Sequence, residues 1–399
     1  VEGEAVKFDA ELRSWATVRQ LEVLDAIETH GSARKAAKAL GVAKNTVDCV
    51  VASVRKKAAA ERARQGHAPG HFDAGVAPGY QMGKVTIQRG PGGVGVERVW
   101  ERQHPDDKLR EELMRAATEA LSREVAGMAP LTNAPAVVRD DLLAVYPLGD
   151  PHFGMYAWAK EVGDDFDLKI ARRLTLGAVD RLVSCAPAAS TAVILPLGDI
   201  FHANDQSNQT PAHKHQLDVD SRFVHVLQIG IETFRHCILR ALEKHARVVV
   251  RFVAGNHDPQ ASWALAFTIA AYFENEPRVE VDLSPAAHWF FRFGKVLIGS
   301  AHGHQSKVEQ LPGVMACDRA EDWGQTKHRH WYCGHVHHSS VKEFPGVTVE
   351  TFRTLAASDA HAAGHGYRAG RDMRCIVHHR EHGEIERHRC DVGMLEAVA

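Results

Sequence analysis

Residues 192–202 read Ala-Val-Ile-Leu-Pro-Leu-Gly-Asp-Ile-Phe-His, an apolar run of strand character that breaks at Gly198 and offers the carboxylate of Asp199 directly after it. The same arrangement recurs on either side. LLAVYPL (142–148) leads to Asp150-Pro151-His152, and RVVVRFVA (247–254) leads to Gly255-Asn256-His257-Asp258. KVLIGSA (295–301) is followed by His302-Gly303-His304, and HWYC (330–333) by Gly334-His335-Val336-His337. Runs this apolar suit strands buried on both faces, and open α/β sheets bind ligands at the carboxyl ends of such strands. Five strand ends thus deliver carboxylate, imidazole and amide groups to one region.

The series D-x-H, G-D, G-N-H-[DE], a lone His and G-H-x-H resembles the motif order of the calcineurin-like metallophosphoesterase superfamily. The resemblance implies an α/β fold, a four-layer α/β/β/α sandwich over residues 137–399. It also implies hydrolysis of a phosphate ester by a hydroxide bridging two metal ions ~3.5–4 Å apart. By motif, Asp150, His152 and His337 belong to one ion, Asn256, His302 and His335 to the other, and Asp199 to both. His257 resembles the family's histidine beside the phosphate, which stabilises the oxyanion or protonates the leaving oxygen. Asp258 is expected to orient that ring by accepting a hydrogen bond. His304 follows the same strand as His302. The family pattern makes His302 the ligand and leaves His304 to touch substrate. Two Asp, one Asn and four His suit manganese, iron, zinc or nickel better than magnesium or calcium alone. Manganese is expected, because nucleases of the superfamily use it.

Composition is ordinary for a globular chain of 399 residues, with 45% hydrophobic and 25% charged residues. No run approaches ~18 consecutive apolar residues, so no membrane span is expected. The first residues, VEGEAVKFDAELRSW, lack an apolar signal core. The seven cysteines are odd in number and scattered, which fits reduced thiols and a cytoplasmic setting. The net charge of −2 hides an asymmetry. Residues 30–66 carry Arg34, Lys35, Lys38, Lys44, Arg55, Lys56, Lys57, Arg62 and Arg64 against only Asp48 and Glu61. An excess of that kind marks a polyanion-facing surface or a solvated helix face.

The helical pattern beneath those charges favours the first reading. Val18, Leu21, Leu24 and Ile27 recur at three-residue spacing and stop at Gly31. Ser32 can cap a second helix, ARKAAKAL, ending at Gly41, and a third begins near Lys44. Ala37, Gly41 and Val47 follow the helix-turn-helix pattern of small contact residue, turn glycine and apolar anchor, with Leu40, Val42 and Val50 expected to complete the core. This resembles the DNA-binding helix-turn-helix fold. The resemblance places Lys44, Asn45, Thr46 and Asp48 at the start of the recognition helix and Arg55, Lys56 and Lys57 towards phosphates. The domain division expected is 1–66 for this all-α unit and 67–136 for a β-hairpin and a helical linker. In the latter, YQMGKVTIQRG and VGVERVWER flank a PGG turn, with Tyr80 and Trp100 either packing together or open to a base.

Three features lean towards nucleic acid, probably DNA, as substrate. GDIFH resembles the repair-exonuclease branch of the superfamily. A polar loop after Asp199, HANDQSNQTPAHKHQLDVDSRF, offers Asn204, His213, His215 and Arg222 as substrate contacts. The helix-turn-helix would deliver DNA, and its pairing with this catalytic domain resembles phage and prophage metallophosphoesterases. Near the carboxyl end, GHGYRAGRDMRCIVHHREHGEIERHRC reads as a loop and a two-strand hairpin completing the second sheet, with His365, Arg368 and Arg371 facing a phosphodiester. The expectation is a DNA exonuclease-like phosphodiesterase, with a homo-oligomer or an ATPase partner left open. Against it stand a phosphatase or cyclic-nucleotide phosphodiesterase on a small substrate, and a DNA-binding regulator with a vestigial site.

Overall fold

The computed structural model describes residues 7–8, 10–64, 80–89, 96–105, 107–366 and 368–396, and divides into two compact units, 1–113 and 114–399. In the first unit a short helix α1 (Ala10–Ser14) precedes α2 (Val18–His30), α3 (Ala33–Leu40) and α4 (Lys44–Arg64). The starts of α2 and α3 have a local cause. Thr17 and Gln20 form a reciprocal capping box at α2, and Ser32 accepts from the Lys35 amide at 3.3 Å at α3. Gly31 and Gly41 end α2 and α3 in the left-handed conformation. Ile27, Ala36, Ala37 and Val47 form one buried cluster, and Leu12, Leu24, Val54 and Ala58 another. Leu40 and Val42 depart from the expected core and are 39% and 40% exposed. They flank the Gly41 turn, and the Ala36–Ala37 pair meets Val47 without them. Val50 is half-buried.

Strands β1 (Tyr80–Arg89) and β2 (Val96–Pro105) pair antiparallel. The turn expected at PGG, and the side chains of Tyr80 and Trp100, lie outside the described residues. Helix α5 (Asp107–Val125) follows, and the division between the units falls within it.

The second unit runs β3 (Arg139–Leu148), α6 (Ala159–Val162), α7 (Leu168–Cys185), β4 (Ala189–Pro196), α8 (Phe223–Leu242), β5 (Arg247–Arg251), α9 (Pro259–Tyr272) and β6 (Val279–Asp282). It continues with β7 (Trp289–Phe293), β8 (Val296–Ala301), α10 (Leu311–Asp318), α11 (Ala320–Gln325), β9 (His328–Cys333), β10 (Ser340–Phe344) and β11 (Val347–Thr351). Last come α12 (Ala360–Gly364), β12 (Asp372–His379), β13 (Gly383–Asp391) and α13 (Gly393–Glu396). One sheet has the order β13-β12-β3-β4-β5-β6, and the other β10-β11-β9-β8-β7. The three strands β3, β4 and β5 are mutually parallel, as are β8 and β9.

Alternation along β3 shows the layering. Leu142, Ala144, Tyr146 and Leu148 join a core with Leu174 and Leu182 of α7, Phe234 of α8 and Leu265 of α9. Leu143 and Val145 turn instead to Ile298 of β8 and Tyr332 of β9. Beyond the second sheet, Leu297 and Trp331 meet Leu311 and Met315 of α10. Helices, sheet, sheet and helices thus form four layers around three buried cores. Both faces of the central strands are covered, which is why their sequences read as unbroken apolar runs. Among the described residues no helix is long and apolar enough to cross a membrane.

Two expectations change here. The carboxyl-terminal hairpin β12–β13 does not complete the second sheet. Ile376 and Val377 of β12 pair antiparallel with Val145 and Ala144, so the hairpin extends the first sheet beyond β3. The expected linker before Val137 is also tied to the second unit. Gly127 and Ala129 amides donate to the Ala271 and Tyr272 carbonyls at the end of α9, and Thr132 bonds Glu276 and Arg278. The two compact units divide between Leu113 and Met114.

Candidate metal centre

All seven expected ligands lie just past the carboxyl ends of parallel strands. Asp150 and His152 follow β3, Asp199 follows β4, Asn256 follows β5, His302 follows β8, and His335 and His337 follow β9. Asp150, His152, Asp199 and His302 are buried. The backbone at these positions is unusual. Non-glycine residues with φ between 42° and 67° are Asp150, His152, Asp199, His335, His337, Asn208 and Lys214 among the described residues. Five of these seven are the expected ligands. A left-handed non-glycine residue costs on the order of 1–3 kcal/mol and persists where the surroundings impose it, commonly at functional sites.

The donor atoms of the expected ligands converge in two groups, Asp150–His152–His337 and Asp199–His302–His335, and His152 also meets His202 and His257 in a third. In the first, His152 Nε2 lies 3.2 Å from His337 Nε2, which lies 3.5 Å from Asp150 Oδ1. In the second, His302 Nε2 lies 3.2 Å from Asp199 Oδ2 and 3.0 Å from Asn256 Oδ1. The groups adjoin, since His302 Nδ1 is 3.7 Å from Asp150 Oδ1. These are the residues that the motif resemblance groups together, including the pairing of Asn256 with His302.

Hydrogen bonds set which atom each ligand presents. The Leu197 carbonyl faces His302 Nδ1 at 2.8 Å and can only accept, so Nδ1 carries a proton and Nε2 is the atom turned to the centre. His152 Nδ1 is likewise engaged by His202 Nδ1 at 3.1 Å, leaving Nε2 towards His337. Asp150 accepts from the His335 amide at 3.0 Å, and its own carbonyl receives the Thr354 hydroxyl at 2.6 Å. Glycines make the approach feasible. A Cβ at Gly255 would stand 2.0 Å from Asp199 Oδ1, and Gly198 has φ 101° with His302 Nδ1 only 2.4 Å from where its Cβ would be.

Electrostatics fit a cation site. Among the described residues neither Asp150 nor Asp199 has a lysine or arginine ion pair, and their charged partners are His302 and His337. Buried carboxylates require a counter-charge. Burial opposes ionisation of Asp199, yet His302 holds it well below the usual carboxylate range. Burial also opposes charge on His302, but Asp199 and then Asp150 raise it to about 10. A divalent ion held here would supply the positive charge that His302 provides to the two carboxylates. Burial, then His257 and His337, carries His152 well below the ordinary histidine value. Its neutral ring is a metal-ligand form. The residues present fit two divalent ions with mixed nitrogen and oxygen donors.

His257 projects beside this centre, its ring 5.0 Å from that of His152. Its amide donates to Asp199 Oδ1 at 2.8 Å, and its Nδ1 donates to the His202 carbonyl at 2.8 Å. Asp258 does not orient the His257 ring, contrary to expectation. Its oxygens accept from the Phe201 amide at 3.0 Å and the Gly255 amide at 3.1 Å, tying the loops after β4 and β5 together. Burial, and then Asp199, push its pKa up to about 6. The residue that sequence reasoning missed is His202. It is buried, bonds His152, stacks on His257 at 5.3 Å, and supplies the carbonyl that fixes His257. Its signal was the last letter of GDIFH.

The centre opens on a cavity of 720 Å³ lined by His257, His337, Thr354, Asp359, Arg368 and Arg371. Asn256 and His302 also border a cleft of 380 Å³ that includes His304. The remaining substrate candidates divide. Arg368 lines the larger cavity, as does Arg371, which donates to the Leu355 carbonyl at 2.8 Å and to Asp164 at 3.2 Å. His365 is exposed beside Gly366, which lines it. Asn204 has a structural task instead of a substrate contact. It is buried, and its Oδ1 accepts from the Gln260 and Ala261 amides at 2.8 and 3.2 Å at the start of α9. From the polar loop it is Pro211 and Ala212 that reach the cleft, while His213, His215 and Arg222 are exposed outside both linings.

In the first unit, Asn45 and Thr46 are exposed at the start of α4, where Lys44 pairs with Asp48 at 2.9 Å. Further along, Arg55 and Lys56 are exposed, and Lys57 donates to Gln20 at 3.3 Å.

No protein-family model matches the sequence, and no curated protein does. Among solved structures, a dimetal phosphatase from Danio rerio is similar at 11% identity and a TM-score of 0.34, over 63% of this chain and 100% of that one. Zinc-complexed Vps29 from Entamoeba histolytica is similar at 15% identity and a TM-score of 0.26, over 62% and 99%. Likenesses this weak leave the chemistry of the centre to its own residues.

Proposed function

We propose that residues 114–399 hydrolyse phosphate diesters with two divalent cations, in the manner of the calcineurin-like metallophosphoesterase superfamily, and that the substrate is DNA. One observation carries the reading. Five residues in costly left-handed conformations bring carboxylates and imidazoles together, and among the described residues no lysine or arginine pairs with Asp150 or Asp199. Asp150, His152 and His337 would hold one ion and Asn256, His302 and His335 the other, with Asp199 shared. Such ions supply Lewis acidity towards a phosphoryl oxygen and towards water. Manganese is the ion expected, with iron, zinc and nickel also suited to these donors.

The chain's own residues account for the rest. The His202 carbonyl keeps the proton of neutral His257 on Nδ1, so Nε2 is the atom that gains and gives a proton. In its protonated form it can donate to a non-bridging oxygen or to the departing ester oxygen. Asp258 positions the two loops that carry Asp199 and His257. Support for DNA comes from the first unit, where two helices meet at Gly41 and the second bears exposed basic residues.

The test combines metal analysis with hydrolysis of labelled single- and double-stranded DNA, RNA and p-nitrophenyl esters, each with manganese and with chelator. Two ions per chain and manganese-dependent diester hydrolysis are expected, both lost in Asp199→Asn. Turnover of monoesters alone would replace DNA by a small phosphorylated substrate. DNA binding without hydrolysis of any ester would leave a DNA-binding regulator.

A further inference from the structure

His257 lines only the larger cavity, whereas the 380 Å³ cleft is bordered by Asn256 and His302 of the candidate centre. Its other walls are Trp263 of α9, His304, Pro211 and the irregular segment 283–287. That segment is held from beneath. Arg251, buried at the end of β5, donates from Nη1 to Asp282 Oδ1 at 2.7 Å and to the Ser284 carbonyl at 2.6 Å. Its Nη2 donates to the Ala286 carbonyl at 2.6 Å. One guanidinium thus fixes a stretch of chain that has no ladder of its own. The Trp263 ring is braced as well, lying 5.9 Å from Phe267 at an interplanar angle of 30°.

We infer that this cleft receives the nucleobase of the nucleotide whose phosphate lies at the metal centre. The inference rests on the phosphodiester reading above and adds which part of the substrate this wall binds. An indole offers a flat surface on which any base can stack, so binding there would tolerate sequence variation. The volume falls within the range of small-molecule sites, and a preformed wall avoids the ordering cost of binding. The rim is polar, with Ser284, Gln305 and Ser306. A base can pair its edge with such groups, whereas an acyl chain would leave them unpaired.

The experiment compares two diesters with the same leaving group, thymidine 5′-(p-nitrophenyl phosphate) and methyl p-nitrophenyl phosphate, in the full chain with manganese. The wild-type protein should favour the nucleoside ester in kcat/KM. Trp263→Ala should lower the ratio of the two kcat/KM values by about tenfold, within the range for one stacked base, and Trp263→Phe should keep most of it. Because the ratio is internal, loss of folded protein does not mimic the effect. An unchanged ratio in Trp263→Ala overturns the inference. If neither ester is hydrolysed, the phosphodiester reading fails by itself, and the cleft is judged by calorimetry. Adenosine 5′-monophosphate should then bind about tenfold more tightly than methyl phosphate, with the difference lost in Trp263→Ala. Equal affinities for the two would overturn the inference.

Discussion

Asp199 and His302 form an opposite-charge pair at a buried place, and the proton between them is the best probe of the centre. His302 is raised from an ordinary value to about 10, so in the ion-free protein its charge contributes stability that is complete below about 6.5. That contribution is lost as pH rises through 10. A divalent ion must displace this proton, so apparent metal affinity should climb about tenfold per pH unit between neutrality and pH 9, the linkage for one proton. Calorimetric metal titrations in two buffers of different ionisation enthalpy would count the proton directly, and uptake independent of pH would show that His302 is neutral before the ion arrives. His257 gives the complementary test. It touches the centre through its backbone amide and its ring is fixed by the His202 carbonyl. His257→Ala should retain both ions while slowing turnover by roughly 10²–10⁴. A variant that loses metal would make His257 a ligand.

At the scale of elements, the short turn between strand and ligand controls the centre. Gly255 joins β5 to Asn256, and a Cβ there would also stand 2.2 Å from the Asp199 amide, which is backbone and cannot rotate away. Gly255→Ala should therefore displace Asp199, lower stability by about 1–3 kcal/mol as overpacking does, and reduce bound metal. Gly313→Ala in α10, where a Cβ meets nothing within 4 Å, should leave both unchanged or raise stability slightly. Metal content and Tm for the pair decide the matter. These turns were legible in the sequence because parallel strands buried on both faces are written as continuous apolar runs, and the donors stand immediately after them. What was not legible depended on partners remote in sequence. Strand β12 pairs with β3, more than two hundred residues earlier, and its own pattern cannot say which sheet edge it joins. Asp258 looked like the natural partner for His257, but a backbone carbonyl at His202 took that place, and backbone acceptors leave no mark in a motif. Leu40 and Val42 looked like core residues because burial across a tight turn depends on direction as well as spacing.

The whole molecule joins the unit that carries the proposed metal centre to a small helical one, and the proposed function assigns the two separable roles. Every proposed ligand lies beyond residue 149, and residues 127–132 are bonded to the end of α9, so a truncated protein should begin at Met114 to keep those contacts. Such a protein should hydrolyse a small phosphodiester such as bis-p-nitrophenyl phosphate as the full chain does. Its DNA affinity should fall, because Arg55, Lys56 and Lys57 of α4 are gone. In the full chain, binding should weaken steeply with salt, since each neutralised phosphate releases condensed counterions. Reversing those three residues to Glu should reduce the salt slope by about one for each phosphate contact removed. Small-substrate turnover is the control that the metal centre is intact in both proteins. Equal DNA affinity in the full and truncated chains would assign the helical unit to a protein partner and leave the metal centre to find its DNA alone.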